Sequence, residues 1–153
     1  MRLSRWGNQR GTSTLEFVVV LPTLLIIFLA GLELSRAWFT ANIATNAARE
    51  GARVGVVTPA LGTNPSAPVF DNSAALTRIN DILTAANLTA ASVSVTCTPP
   101  ASPPAGLSGC IPDSTVTSSV TINFVTVTPL FLPMLGTSSS PLVITETTIM
   151  RRE

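Results

Sequence analysis

The apolar run at residues 17–32, FVVVLPTLLIIFLAGL, constrains this chain more than any other feature. Its sixteen residues include one polar side chain, Thr23. Widened to residues 15–34 it is about twenty residues long, enough for a helix to cross a ~30 Å hydrocarbon layer. Arg2, Arg5 and Arg10 precede it with no acid among them, and Glu33 and Arg36 follow it. That asymmetry predicts that residues 1–11 stay cytoplasmic and that residues 58–153 are exported as a domain.

Three kinds of segment fit such a run. A secretory signal would be cut at a small-residue site, and Ser35-Arg36-Ala37 could supply one. A plain bitopic anchor would keep the run and do nothing further with it. A prepilin-type signal uses two residues the other readings leave idle. Gly11 stands just before the run, where a peptidase in the membrane could reach it. Glu16 places a carboxylate at the edge of an apolar helix, at a cost of up to ~3 kcal/mol near the bilayer centre and less towards its end. A cut between Gly11 and Thr12 would make Glu16 the fifth residue of the mature chain and give Thr12 a charged amine. Glu16 of one subunit could then pair with the Thr12 amine of a neighbour. The bland alternative is that Glu16 reaches out to the headgroups.

Composition removes most catalytic chemistry. The chain has no His, and no Tyr, and its two Cys are too few for a four-thiolate metal site. Ser-His-Asp and Cys-His catalysis and His metal ligation are excluded. Formal net charge is +1, with all nine basic residues Arg, so there is no basic surface for nucleic acid. Between Val54 and Met150 only Asp71, Arg78, Asp81, Asp113 and Glu146 are charged. No phosphate loop or paired carboxylate site is visible, and no metal or cofactor is expected.

The string from Arg10 to Val57 resembles TadE-like pseudopilins of the tight-adherence (Tad, type IVc) pilus system. The residues that carry the resemblance are Gly11, Glu16 with Phe17, the apolar run with Pro22, then Gly31, Glu33 and Arg36. The box Ala47, Ala48, Arg49, Glu50, Gly51, Ala52, Arg53 is its most specific part. The closing stretch, through LVITETTIMRRE, resembles the family's last strands and terminal Met-Arg-x-Glu. Residues 58–112 match nothing comparable. The resemblance implies cleavage at Gly11–Thr12 and assembly through Thr12, Glu16 and Phe17. It also implies a prepilin peptidase, other pilins or pseudopilins, an inner-membrane assembly platform and membrane lipid as partners. Major pilins of these systems are little more than the N-terminal helix, so the large C-terminal domain here favours a minor pilin.

Beyond the run, Ala37, Ala41, Ala44, Ala48, Gly51 and Gly55 recur at alternating spacings of four and three, a repeat of small side chains on one helix face. Such a face admits another backbone closely. It suits packing on the protein's own sheet near the domain, or packing on neighbouring helices in a bundle. Glu50 could reach Arg53 or Asn46 along the helix. A single helix over residues 12–57, spanning a membrane at about 15–34, is predicted, with Pro22 removing one hydrogen bond inside it.

The exported part predicts a small α+β domain. Residues 58–72 hold three Pro and one Gly and read as a loop. Asn72 or Ser73 could cap a helix over 74–86 with Leu76, Ile79, Ile82 and Leu83 on its apolar face. Residues 88–98, alternating at Val93, Val95 and Cys97, predict one strand. A second is predicted at 115–128 on Val116, Val120, Ile122 and Phe124, with a slip near Ser118-Ser119. A third is predicted at 142–150. The expected fold is pilin-like: a long helix packed on a small antiparallel sheet with one extra helix. Cys97 and Cys110 flank a Pro-rich stretch, and in an exported domain they suggest a disulfide, with two buried thiols as the alternative. Their spacing is far from Cys-x-x-Cys. The apolar residues 129–136 suit a core cover, a subunit contact or a membrane-proximal patch. Asn87-Leu88-Thr89 fits a glycosylation sequon, to which the bacterial resemblance gives no weight. The functional alternative to a minor pilin is an uncleaved, membrane-anchored binding or adhesion module.

Overall fold

A computed structural model describes residues 9–58, 69–103, 110–127 and 141–153, with side chains from residue 14 onward. The apolar residues 129–136 and most of the loop at 58–72 lie outside the described residues. So do the surroundings of Gly11 and the side chain of Thr12, whose backbone is part of the first helix.

The chain forms α1 (Gln9–Val57), α2 (Ser73–Ala85), β1 (Ser92–Thr98), β2 (Thr115–Phe124) and β3 (Leu142–Arg151). This is the α+β arrangement expected from the residue patterns. The 49 residues of α1 run unbroken through Pro22 and begin at Gln9, earlier than the expected start. At 1.5 Å per residue α1 is roughly 70–75 Å long. The strands form one antiparallel sheet in the order β1-β2-β3. Its inner face packs on α2 and on the C-terminal half of α1, around Ala44, Ala47, Ala48, Ile79, Val95, Val116 and Val120.

The expected slip in β2 does not occur. Pairing is continuous from Thr115 to Phe124, with Ser118 opposite Val95 and Thr148. Val116, Ser118, Val120, Ile122 and Phe124 all face inward and are buried. A one-residue slip would have turned the following residues to the outside, so the buried face holds the register. Ser118 reads as a break in the hydrophobic alternation, yet it occupies a core position. Its hydroxyl is buried and, among the described residues, has no hydrogen-bond partner. Only a small residue fits there, because the backbone of Gly51 lies directly above it.

Helix α2 sits one residue earlier than predicted, and Ala75 joins Ile79 and Leu83 as its buried residues. Asn72 stands at the N-cap position but makes no capping bond through its side chain. Its amide instead donates to the carbonyl of Val95 at 3.1 Å, tying the helix start to β1. The capping acceptor is Asp71, whose carboxylate receives the Ser73 N–H at 2.9 Å. At the other end Asn87 has φ 54°. The N–H of Leu88 reaches the carbonyl of Leu83, and that of Asn87 the carbonyl of Thr84. These bonds close the helix as a Schellman motif, with Leu88 packed on the core. The sequon asparagine thus has a structural role as the left-handed residue that ends α2.

Cys97 and Cys110 are joined by a disulfide with Cα atoms 5.8 Å apart. It links the end of β1 to the turn before β2. In that turn Pro112 and Asp113 (φ 70°) bring the Ser114 N–H to the carbonyl of Ile111 at 3.1 Å. The C-terminal residues fasten onto the same corner. Arg151 pairs with Asp113 at 3.0 Å, and the Arg152 guanidinium donates to Cys110 Sγ at 3.5 Å.

Candidate functional site: two halves of one helix

The predicted site residues all lie on α1, apart from the disulfide, and the structure divides them at Glu33. Below that point, from Thr14 to Phe28, every residue is exposed. The most apolar window of this region has a mean hydropathy of 2.5, and none of it is buried within the chain. Glu16 and Phe17 both belong to this bare segment. Among the described residues no ion pair reaches Glu16.

Above Glu33 the helix is sheathed on one side. Ala37 and Ala41 are half-buried, and Ala44, Ala48, Gly51 and Gly55 are buried against α2 and the sheet. Of the two packing partners the small-residue face could have, the protein's own domain occupies it from Ala44 upward. That face is therefore not open to a neighbouring helix. A Cβ at Gly51 would run into the side chain of Ile79 and lie 2.9 Å from Ser118 Oγ. At Gly55 it would meet Val116 Cγ1 at 2.9 Å. Both glycines are there because the sheet and α2 approach the helix backbone. Gly31, in the bare half, has nothing within 4 Å of the same position.

The box residues divide in the same way. Ala47, Ala48, Gly51 and Ala52 are buried, while Arg49 and Arg53 are exposed. Glu50 lies 3.9 Å from Arg53, as its spacing allowed, but it is closer to Arg78 of α2, at 3.5 Å. That cross-helix pair needed tertiary information. Asn46, the other partner open to Glu50, is exposed on the outer side.

Glu33 itself is the residue the sequence patterns undervalued. Read as a flanking charge, it is only 3% exposed. One carboxylate oxygen accepts from Arg36 Nη1 at 2.8 Å. The other accepts the backbone N–H of Val127 at 2.9 Å. Arg36 in turn lies over the ring of Phe124, 5.3 Å from its centroid, within cation–π range. This clasp fastens the segment leaving β2 to the helix where its bare half ends. The signal available in sequence was the i,i+3 spacing of Glu33 and Arg36 directly after the apolar run. Nothing local pointed to Val127, 94 residues away.

Among the described residues no group of three His, Cys, Asp or Glu side chains is placed to hold a metal ion. The geometry defines an α+β protein with one helix long and apolar enough to cross a membrane, sheathed by its own domain over its upper part only. The family model described as TadE-like protein matches residues 11–53. The match is confined to α1 and takes in Glu16, the apolar run and the Ala47–Arg53 box, so the similarity is of this helix to TadE-like proteins. No curated protein and no solved structure matches the chain.

Proposed function

We propose that this chain is a non-catalytic assembly subunit, a minor pilin of a Tad-type pilus. Its N-terminal helix inserts in the bacterial inner membrane with residues 1–11 on the cytoplasmic side and the C-terminal domain outside. A prepilin peptidase removes residues 1–11. The mature subunit then joins other pilins or pseudopilins on the inner-membrane assembly platform. The observation that carries this reading is the bare half of α1, with Glu16 set among Leu15, Phe17 and Val18 and exposed with them. A carboxylate kept there is unfavourable in lipid unless something balances it. Cleavage after Gly11 supplies that balance as the Thr12 amine of an adjacent subunit. The charges neutralise each other where both are shielded from water. The family match begins at residue 11, which supports the same boundary.

With the small-residue face covered from Ala44 upward, contacts between subunits above the membrane fall to the outer side of α1, where Asn42, Asn46, Arg49 and Arg53 are exposed. Mass spectrometry of the purified protein tests the reading. The expected N-terminus is Thr12, and Glu16→Ala should abolish fibre incorporation while membrane insertion persists. A chain that keeps Met1 and still enters fibres would defeat the reading and favour an uncleaved anchored module.

A further inference from the structure

The clasp at Glu33 lies at the boundary where the helix would leave the bilayer, and three exposed apolar side chains gather at that level. Val127, whose N–H the clasp holds, is 74% exposed. Trp38 is 72% exposed, and Phe39 is also exposed. At 100° per residue, Trp38 and Phe39 point about 140° and 240° around the axis from Glu33. The backbone of Val127 is held on the Glu33 side, so Trp38, Phe39 and the clasped residue are spaced around the helix at roughly a third of a turn. The Cα atoms of Trp38 and Phe39 stand about 7–9 Å above that of Glu33. Helical side chains lean towards the N-terminus, over the preceding turn. The rings of Trp38 and Phe39 thus descend towards the level of the clasp.

The same level is quiet electrostatically. Glu33 is paired with Arg36, and the Ser35 hydroxyl donates to the carbonyl of Gly31 at 2.8 Å. Val125, two residues before the clasped Val127, is apolar and partly exposed. Leu29 and Ala30, inside the apolar run, are already partly covered. The protein's own cover therefore begins about one turn below Glu33. These surfaces continue the apolar surface of the bare helix without an exposed unpaired charge between them, and Trp is favoured at the lipid–water boundary.

We propose that Trp38, Phe39 and Val127 form a collar that seats the exported domain on the lipid surface in the unassembled subunit, with the Glu33 clasp setting its height. The proposal rests on the membrane-anchored reading above. The occupant is lipid and not a second protein, because these side chains continue the exposed surface of a helix of membrane-spanning length with no exposed unpaired charge between them. The domain is then held at a defined depth before assembly, and does not swing on a free tether.

The test uses the full chain in phosphatidylethanolamine–phosphatidylglycerol vesicles containing brominated phosphatidylcholine. With Trp6→Phe, Trp38 is the single tryptophan, and its emission should be quenched more by bromines near the headgroup than by bromines at the chain end. In a Trp6→Phe, Trp38→Phe, Val127→Trp chain, the probe at position 127 should show the same depth. Adding Glu33→Ala should abolish quenching at 127 while leaving flotation with vesicles and the Cys97–Cys110 disulfide intact. A probe at 127 open to aqueous acrylamide, with the protein still floating, would overturn the collar but leave the anchor standing. A probe shielded from both quenchers would mean that protein covers it, and would overturn lipid as the occupant. Unchanged quenching after Glu33→Ala would overturn the role of the clasp. Failure to float would remove the anchor and the collar together.

Discussion

The lower and upper halves of α1 are continuous in backbone and opposite in what their side chains meet. Below Glu33 the helix carries Leu, Ile, Val and Phe, with nearly all of them exposed. Above it the inward face narrows to Ala and Gly, and that face is buried almost completely. Large side chains can meet disordered lipid tails without a specific partner. Small ones serve only where another backbone approaches closely. Side-chain size along this one helix therefore records a change of surroundings, from a fluid apolar phase to a packed protein interior. The boundary is held by one buried carboxylate, paired with Arg36 and bonded to the Val127 N–H. Glu16, the other acid on the lower part of the helix, has no such support among the described residues.

Opening the disulfide should have the largest effect on the upper half and little on the lower. Cys97→Ser with Cys110→Ser is expected to cost the domain about 3 kcal/mol for a loop of this length, seen as a lower urea midpoint in detergent. Flotation with vesicles should be unchanged. Loss of membrane association in that variant would show that the two halves are not independent.

A matched pair of glycine substitutions sharpens the contrast. Alanine is favoured over glycine in a helix by about 1 kcal/mol, so Gly31→Ala should be neutral or stabilising. Gly51→Ala should instead destabilise by roughly 1–3 kcal/mol, because the new methyl group displaces Ile79. Equal thermal shifts in the two variants would contradict the close approach at Gly51.

The cross-helix pair should matter less. Arg78→Ala removes a partly exposed contact to Glu50 and should cost under about 1 kcal/mol, with the difference shrinking in high salt. A larger, salt-independent loss would mean that Arg78 acts through packing.

The smallest effect concerns acid. The Ser73 N–H donating to Asp71 holds its carboxyl below the ordinary value of 3.8. A lowered carboxyl contributes stability above that value and loses it as pH falls through the folded value. Asp71→Asn should therefore lower stability slightly at neutral pH and flatten part of the loss on acidification, the two proteins converging below about pH 3.8. An unaltered acid limb would show that the cap contributes nothing.

Much of this molecule was legible from local pattern. Residues 17–32 announced a membrane-length helix, period-two alternation located two strands and Thr and Ile richness the third, and Leu76, Ile79, Ile82 and Leu83 traced the apolar side of α2. Errors arose where a residue's meaning depended on something distant. Ser118 looked like a break because polarity was weighed without the glycine above it. Asn72 looked like a cap, although its amide turns to β1 and Asp71 does the capping.

The residue order alone determined which segments are apolar, how long they are and with what period they repeat. These are properties of neighbours in the chain, and they suffice for element type and for an α+β arrangement. The tertiary structure decided which of two partners the small-residue face takes, and that Glu33 is a clasp and not a flanking charge. Both answers depend on groups far apart in sequence: Gly51 with Ile79 and Ser118, and Glu33 with Val127. Periodicity shows that a helix has a face to bury, but only the folded chain brings together the atoms that bury it.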